Sequence, residues 1–132
     1  MFDYNSKILV IDDFLTMRKI VQKALKDLGF TNIQTAKHGL QAWELINEQP
    51  IDIVISDWNM PNMTGLELLK NIRNSEHSKM PFIMVTAESE KSQKADAADA
   101  GVDGYLIKPF SPDDIETVLK EVHGKIAERL AS

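Results

Sequence analysis

A chain of 132 residues, 43% hydrophobic and 27% charged, has room for one compact domain with a real core and little left over. Its formal charge of -5 argues against a nucleic-acid footprint, which needs a basic stripe, and the lack of cysteine excludes disulfides, thiolate zinc sites and cysteine nucleophiles. No apolar run approaches the ~18 residues needed to span a membrane, and Met1 to Ser6 lack the basic start and apolar stretch of a signal peptide. A cytoplasmic protein is expected, with one domain over 1–132 and a flexible N-terminus over 1–6.

Short apolar runs then alternate with helical patterns. Lys7-Ile8-Leu9-Val10-Ile11 is continuously apolar and β-branched after the lysine, which suits a strand covered on both faces of a parallel sheet. Beyond Asp12-Asp13, the residues Met17, Ile20, Val21, Ala24, Leu25 and Leu28 recur at three- and four-residue steps, and Gly29 sits where a helix-ending glycine belongs. Asn32 to Ala36 reads as a shorter strand. Gly39 to Asn47 reads as a helix with Leu40, Trp43 and Ile46 or Leu45 inward. Ile51 to Ser56 forms a third strand that ends at Asp57.

Thr64-Gly65-Leu66-Glu67 has capping-box spacing, and Leu66, Leu69 and Ile72 or Arg73 continue a helix. Pro81 to Ala87 is a fourth strand. Ser89 to Ala100 is helical, rich in alanine, lysine and acids, and stopped by Gly101. Such a segment buries little apolar area and should be among the less stable elements. Gly104 to Lys108 is a fifth strand. Ser111-Pro112 opens the last helix, with proline at its first position and Ile115, Val118, Leu119, Val122, Ile126 and Leu130 on its buried face. A βα unit repeated about five times implies an α/β fold, a doubly wound parallel sheet with right-handed crossovers and helices on both faces.

Polar residues collect at the carboxyl ends of these strands, where open α/β sheets bind ligands. Asp12 and Asp13 follow the first strand, Asp57 the third, Thr86 closes the fourth and Lys108 the fifth. Alone, each has an ordinary reading: a loop or cap for the acid pair, a turn for Asp57, a solvated strand end for Lys108. Together they place three carboxylates, a hydroxyl and an ammonium in one cleft. Three carboxylates repel one another unless a cation sits among them. All-oxygen ligands favour a hard ion, and Mg²⁺ is the natural candidate. A carboxylate is also a nucleophile toward phosphorus, and phosphoryl transfer needs mostly positioning and charge neutralisation.

These residues resemble the receiver domain of bacterial response regulators, and within it the chemotaxis branch. The resemblance rests on Val10-Ile11-Asp12-Asp13-Phe14 with Thr16-Met17-Arg18, on Ser56-Asp57-Trp58-Asn59-Met60-Pro61-Asn62-Met63 with Gly65, on Val85-Thr86-Ala87-Glu88, and on Lys108-Pro109-Phe110. It runs from Lys7 to the final helix. It implies a flavodoxin-like (βα)5 fold with strand order 2-1-3-4-5. It implies that Asp57 is the phosphoacceptor and that Asp12, Asp13, Asp57 and the backbone carbonyl of Asn59 hold Mg²⁺. Lys108 should pair with the phosphoryl group, Thr86 should move to hydrogen-bond it, and Tyr105 should turn inward as the switch. The implied output surface includes Glu88, Lys91, Tyr105, Ile107 and Phe110, and the Lys108–Pro109 bond should be cis. The expected partners are a histidine kinase of the CheA type, a flagellar motor switch protein of the FliM type and a phosphatase, acting on a monomer that catalyses its own phosphoryl transfer and dephosphorylation.

Glu90 stands where that branch often has lysine, although Lys91 keeps a positive charge nearby. Two other classes fit less well. A phosphatase of the haloacid-dehalogenase type wants a second aspartate at position 59, where this chain has asparagine. A flavodoxin-like electron carrier wants a hydroxyl-rich phosphate loop where this chain has Asp12-Asp13, which would repel phosphate. His38, His77 and His123 share no metal-ligand spacing and read as surface or capping residues. Trp58 is expected at the rim of the site, with an indole that reports its occupancy.

Overall fold

The computed structural model describes residues 2–87 and 91–131, with the side chains of Lys91 and of 129–131 left out. Five βα units follow one another: β1 (Ile8–Ile11), α1 (Leu15–Asp27), β2 (Ile33–Ala36), α2 (Gly39–Glu48), β3 (Ile53–Asp57), α3 (Gly65–Arg73), β4 (Phe82–Thr86), α4 (Lys91–Asp99), β5 (Gly104–Ile107) and α5 (Pro112–Ala131). The sheet is parallel throughout, in the order β2-β1-β3-β4-β5. The order reverses beside β1, so the chain winds outward from that point in both directions. Residues Glu88, Ser89 and Glu90, the expected burial of Leu130 and the side chain of Lys91 lie outside the described residues.

Alternation along each strand divides the core in two. Ile8, Val10, Ile53, Ile55, Ile83, Val85 and Leu106 face α1 and α5. Leu9, Ile11, Val54, Phe82 and Met84 face α2 and α3, with Ala97 of α4 alongside. Both faces are covered, which is why β1, β3 and β4 are apolar at nearly every position and lack an in-out polarity pattern. Near the N-terminus the Phe2 ring meets His123 edge-on at 5.3 Å and the Tyr4 ring meets Phe30 at 5.2 Å.

The helix ends follow local chemistry. Thr64 Oγ1 accepts from the Glu67 amide at 3.1 Å, and Glu67 Oε1 accepts in return from the Thr64 amide at 3.2 Å. Ser111 and Asp114 make the same reciprocal pair at the start of α5, and His38 Nδ1 accepts from the Gln41 amide at the start of α2. Gly29 and Gly101, at φ 110° and 90°, end α1 and α4. The amide after each glycine donates back five residues, Phe30 to Leu25 and Val102 to Ala97, as a left-handed helix stop requires.

Two expected inward residues point out. Leu40 is 55% exposed and Ile20 48% exposed. The buried stripe of α2 is Gly39, Ala42 and Ile46, with Gly39 against the Met63 side chain. Leu40 is turned roughly 100° from that stripe, and Trp43 and Leu45 are only partly covered. On α1 the buried stripe is Arg18, Val21, Ala24 and Leu25, which leaves Ile20 outside it and a charge within it.

Gly65 sets how closely α3 approaches the end of β3. Its amide donates to the Trp58 carbonyl at 2.8 Å. A methyl group there would overlap the Asp57 carbonyl oxygen and press on Met84 Sδ. Gly65→Ala should therefore lower the unfolding free energy by about 3 kcal/mol, since backbone has nowhere to give. Urea unfolding measures this, and a loss below about 1 kcal/mol would show that the loop relaxes freely.

Candidate functional site

The parallel topology brings four strand ends to one edge. Asp12 and Asp13 leave β1, Asp57 is the last residue of β3, Thr86 the last of β4, and Lys108 follows β5. The strands are stitched together there by backbone bonds: Asp12 to Ala36, Trp58 to Val85, and Lys108 to Thr86 at 2.8 Å. The Lys108–Pro109 peptide is cis, as expected. In the loop between β3 and α3 the chain turns sharply at Asn62, where φ is 69° and the Met63 amide donates to the Pro61 carbonyl.

Asp12, Asp13 and Asp57 each offer a carboxylate oxygen, and these atoms lie within 4.8 Å of one another. Asp12 and Asp57 are buried and Asp13 partly so. Lys108 Nζ lies 3.1 Å from Asp57 Oδ1 and 3.7 Å from Asp12 Oδ2. One ammonium among three carboxylates leaves the cluster negative. The consequence is visible in the acids. Burial raises Asp57 above the usual carboxylate range, with Asp12 and Asp13 adding to it, while the Lys108 hydrogen bond pulls the other way. Burial likewise raises Asp12, against the Phe14 amide and Lys108.

The donor set fits a hard divalent cation. It is all oxygen, it carries excess negative charge, and Asp13 Oδ1 is buried with no hydrogen-bond partner. A buried carboxylate oxygen without a partner, in a residue whose carboxylate lies among others, is costly unless a cation meets it.

The other expected residues are placed as follows. Thr86 is fully buried at the end of β4. It pairs in register with Ile107, while Tyr105 pairs with Met84, so Thr86 and Tyr105 share a face of the sheet two residues apart. Tyr105 is half-buried, with Lys94 Nζ 5.8 Å from its ring centre. Tyr105 and Ile107 line a groove of about 330 Å³ with Lys94, Ala98, Val102 and Lys125. Phe110 does not join them: it packs on the α1–α5 core and lines a separate groove with Ile20 and Pro112. Asn59 is exposed in the loop after β3. Trp58, expected at the rim, is 8% exposed and belongs to the core under α2 and α3.

One residue beside the site was passed over as a chemical group. Arg18 is buried, and its Nη1 donates to the Asp12 carbonyl. The signal was its spacing: it stands three residues before Val21 and seven before Leu25, on the buried stripe.

Residues 8–120 match the family model of the response regulator receiver domain. The chemotaxis protein CheY-3 of Vibrio cholerae is 50% identical over 127 residues, which cover 96% of this chain and 95% of that one. The structure of the chemotaxis response regulator CheY4 of Vibrio cholerae superposes with a TM-score of 0.83 at 34% identity, over 89% of this chain and 98% of that one. The receiver domain of a Pseudomonas aeruginosa sensor histidine kinase, solved with a magnesium ion coordinated in its active site cleft, gives 0.81 at 25% identity, over 91% and 98%.

Both raised acids hold protons more tightly folded than unfolded. Stability of the metal-free protein should therefore rise as pH falls from neutral through their raised values toward the ordinary 3.8. Asp57→Asn should raise the melting midpoint at pH 7 without metal, and its advantage should shrink on acidification. Saturating Mg²⁺ should stabilise the unmodified chain more than the variant. Thermal melts with and without chelator test this; a metal-free melting midpoint at pH 7 lower in Asp57→Asn than in the unmodified chain would contradict it.

Proposed function

The chain belongs to the response regulator receiver family, and on that premise we propose that Asp57 carries the phosphoryl group through which it acts in chemotaxis. It is a phosphorylation-dependent signalling switch of the chemotaxis type, not a turnover enzyme. The observation that carries the assignment of Asp57 is its place in the cluster: a buried carboxylate facing Lys108 at 3.1 Å, with Asp12 and Asp13 at ligating distance.

An Asp57 carboxylate oxygen attacks the phosphorus of a phosphohistidine on the donor kinase. A P–O bond forms, the P–N bond breaks, and the imidazole leaves with the electron pair. Lys108 is placed to hold a phosphoryl oxygen once its ion pair with Asp57 is given up, and its pull favours the ionised nucleophile beforehand. Asp12, Asp13, Asp57 and the Asn59 carbonyl would hold Mg²⁺, which when bound neutralises charge on the phosphoryl oxygens. Attack by water on phosphorus later breaks the acyl phosphate and returns the carboxylate.

The output follows from the neighbours. The Thr86 hydroxyl turns toward the phosphoryl group, and the space beside it lets the Tyr105 ring move inward along the same sheet face. A phenol half-packed and half-wet occupies either place at similar cost, so a small bias shifts the balance. α4, with Ala97 as its buried residue among those described, is weakly held beside the groove that Tyr105 lines. The partners that fit are a histidine kinase as donor and the flagellar motor switch as effector, with the protein monomeric in the cytoplasm. No helix among the described residues is long and apolar enough to cross a membrane.

Labelling by acetyl phosphate should require Mg²⁺ and be abolished in Asp57→Asn; labelling at full level in that variant would move the phosphoacceptor elsewhere. Thr86→Ala should still be labelled but should lose most of the amide-shift response around residues 94–107 when beryllofluoride is added. NMR decides the second point, and a full response in Thr86→Ala would remove Thr86 from the switch.

A further inference from the structure

α1 buries one charge. Arg18 is 8% exposed on the stripe that also carries Val21, Ala24 and Leu25. An apolar side chain at that point would pack on the same core without taking a guanidinium out of water. A buried ion is weak support for stability and asks for another reason.

The reason lies in what its hydrogen bond fixes. Asp12 is held at three points. Its amide donates to the Ala36 carbonyl at 3.2 Å, its Oδ1 accepts from the Phe14 amide at 2.9 Å, and its carbonyl accepts from Arg18 Nη1 at 2.7 Å. That carbonyl belongs to the planar peptide that leads into Asp13. Fixing it sets the direction from which the Asp13 side chain departs, and Asp13 Oδ1 is buried without a partner. Phe14, at the N-cap of α1, makes no side-chain hydrogen bond. Arg18 reaches back six residues, past the start of α1, to supply the contact. Lys108, not Arg18, is the cation that acts on the Asp12 carboxylate.

We propose that Arg18 is a positioning residue, holding the Asp12–Asp13 peptide so that the Asp13 carboxylate is already presented when a divalent cation arrives. This rests on the reading of the carboxylate cluster as a Mg²⁺ site. A ligand ordered in advance loses less freedom on binding. Removing a group that supports a metal ligand costs roughly 10–100-fold in affinity. Arg18 acts through the peptide and not on the ligand atom, so about three- to tenfold weaker binding is expected.

Charge alone predicts the opposite sign. Taking a cation away from beside a cation site should tighten Mg²⁺ binding. Trp58, next to Asp57 in sequence, provides the signal. Mg²⁺ titrations followed by Trp58 fluorescence, on the unmodified chain, Arg18→Met and Arg18→Gln, are paired with urea unfolding in chelator. The expected result is a raised Mg²⁺ Kd in both variants, with an unfolding midpoint for Arg18→Met close to that of the unmodified chain. If Arg18→Met does not fold, Arg18→Gln decides alone. An unchanged or lowered Kd, with or without a lower unfolding midpoint, overturns the positioning role while leaving the metal site standing. No saturable response in the unmodified chain overturns the metal reading, and the inference with it.

Discussion

Three carboxylates share a space less than 5 Å across at the end of a parallel sheet, with one ammonium among them. Left to themselves in water, these groups would separate. Burial raises Asp12 and Asp57 above the usual carboxylate range, and the neighbouring carboxylates add to it. The fold holds Asp12, Asp57 and Lys108 there through backbone bonded into the sheet. Asp57 is the last paired residue of β3, Asp12 is bonded to β2 through Ala36, and Lys108 to β4 through Thr86. The free energy that keeps the cluster together comes from the two apolar layers beneath it.

The same edge shows how rigidity is distributed. Around the carboxylates, contacts are tight: Gly65 admits no Cβ, and Asn62 turns the chain at positive φ. On the side of α4 they are loose, with an alanine-rich helix lying beside an open groove. A cluster that must present oxygen atoms at fixed positions needs the first. A surface that must change affinity needs the second, since a signal can move only an element whose alternatives are close in free energy. Between them stand Thr86 and Tyr105, neighbours on one face of β4 and β5.

At the opposite end of the sheet, Arg73 does a purely structural job. Its guanidinium donates to the Met80, Ser78 and Gly101 carbonyls and to Asp103. Asp103 in turn accepts from the Phe82 amide. This brace ties the end of α3 to the entries of β4 and β5.

The amino-acid sequence by itself determined the element order, the strand-end placement of Asp12, Asp13, Asp57, Thr86 and Lys108, and the helix stops at Gly29 and Gly101. Those features depend on local period and on backbone preference, which neighbouring residues settle. It could not give the depth of side chains whose burial depends on how closely two elements approach. Leu40 is exposed because the buried stripe of α2 runs through Gly39, Ala42 and Ile46, and Trp58 is buried where Gly65 lets α3 approach the end of β3 closely. Arg18 faces the core because it lies on the inner stripe of α1, where its guanidinium finds the Asp12 carbonyl. Only the tertiary structure decided that contact, because the bond joins a side chain to a backbone oxygen whose direction is set by the sheet.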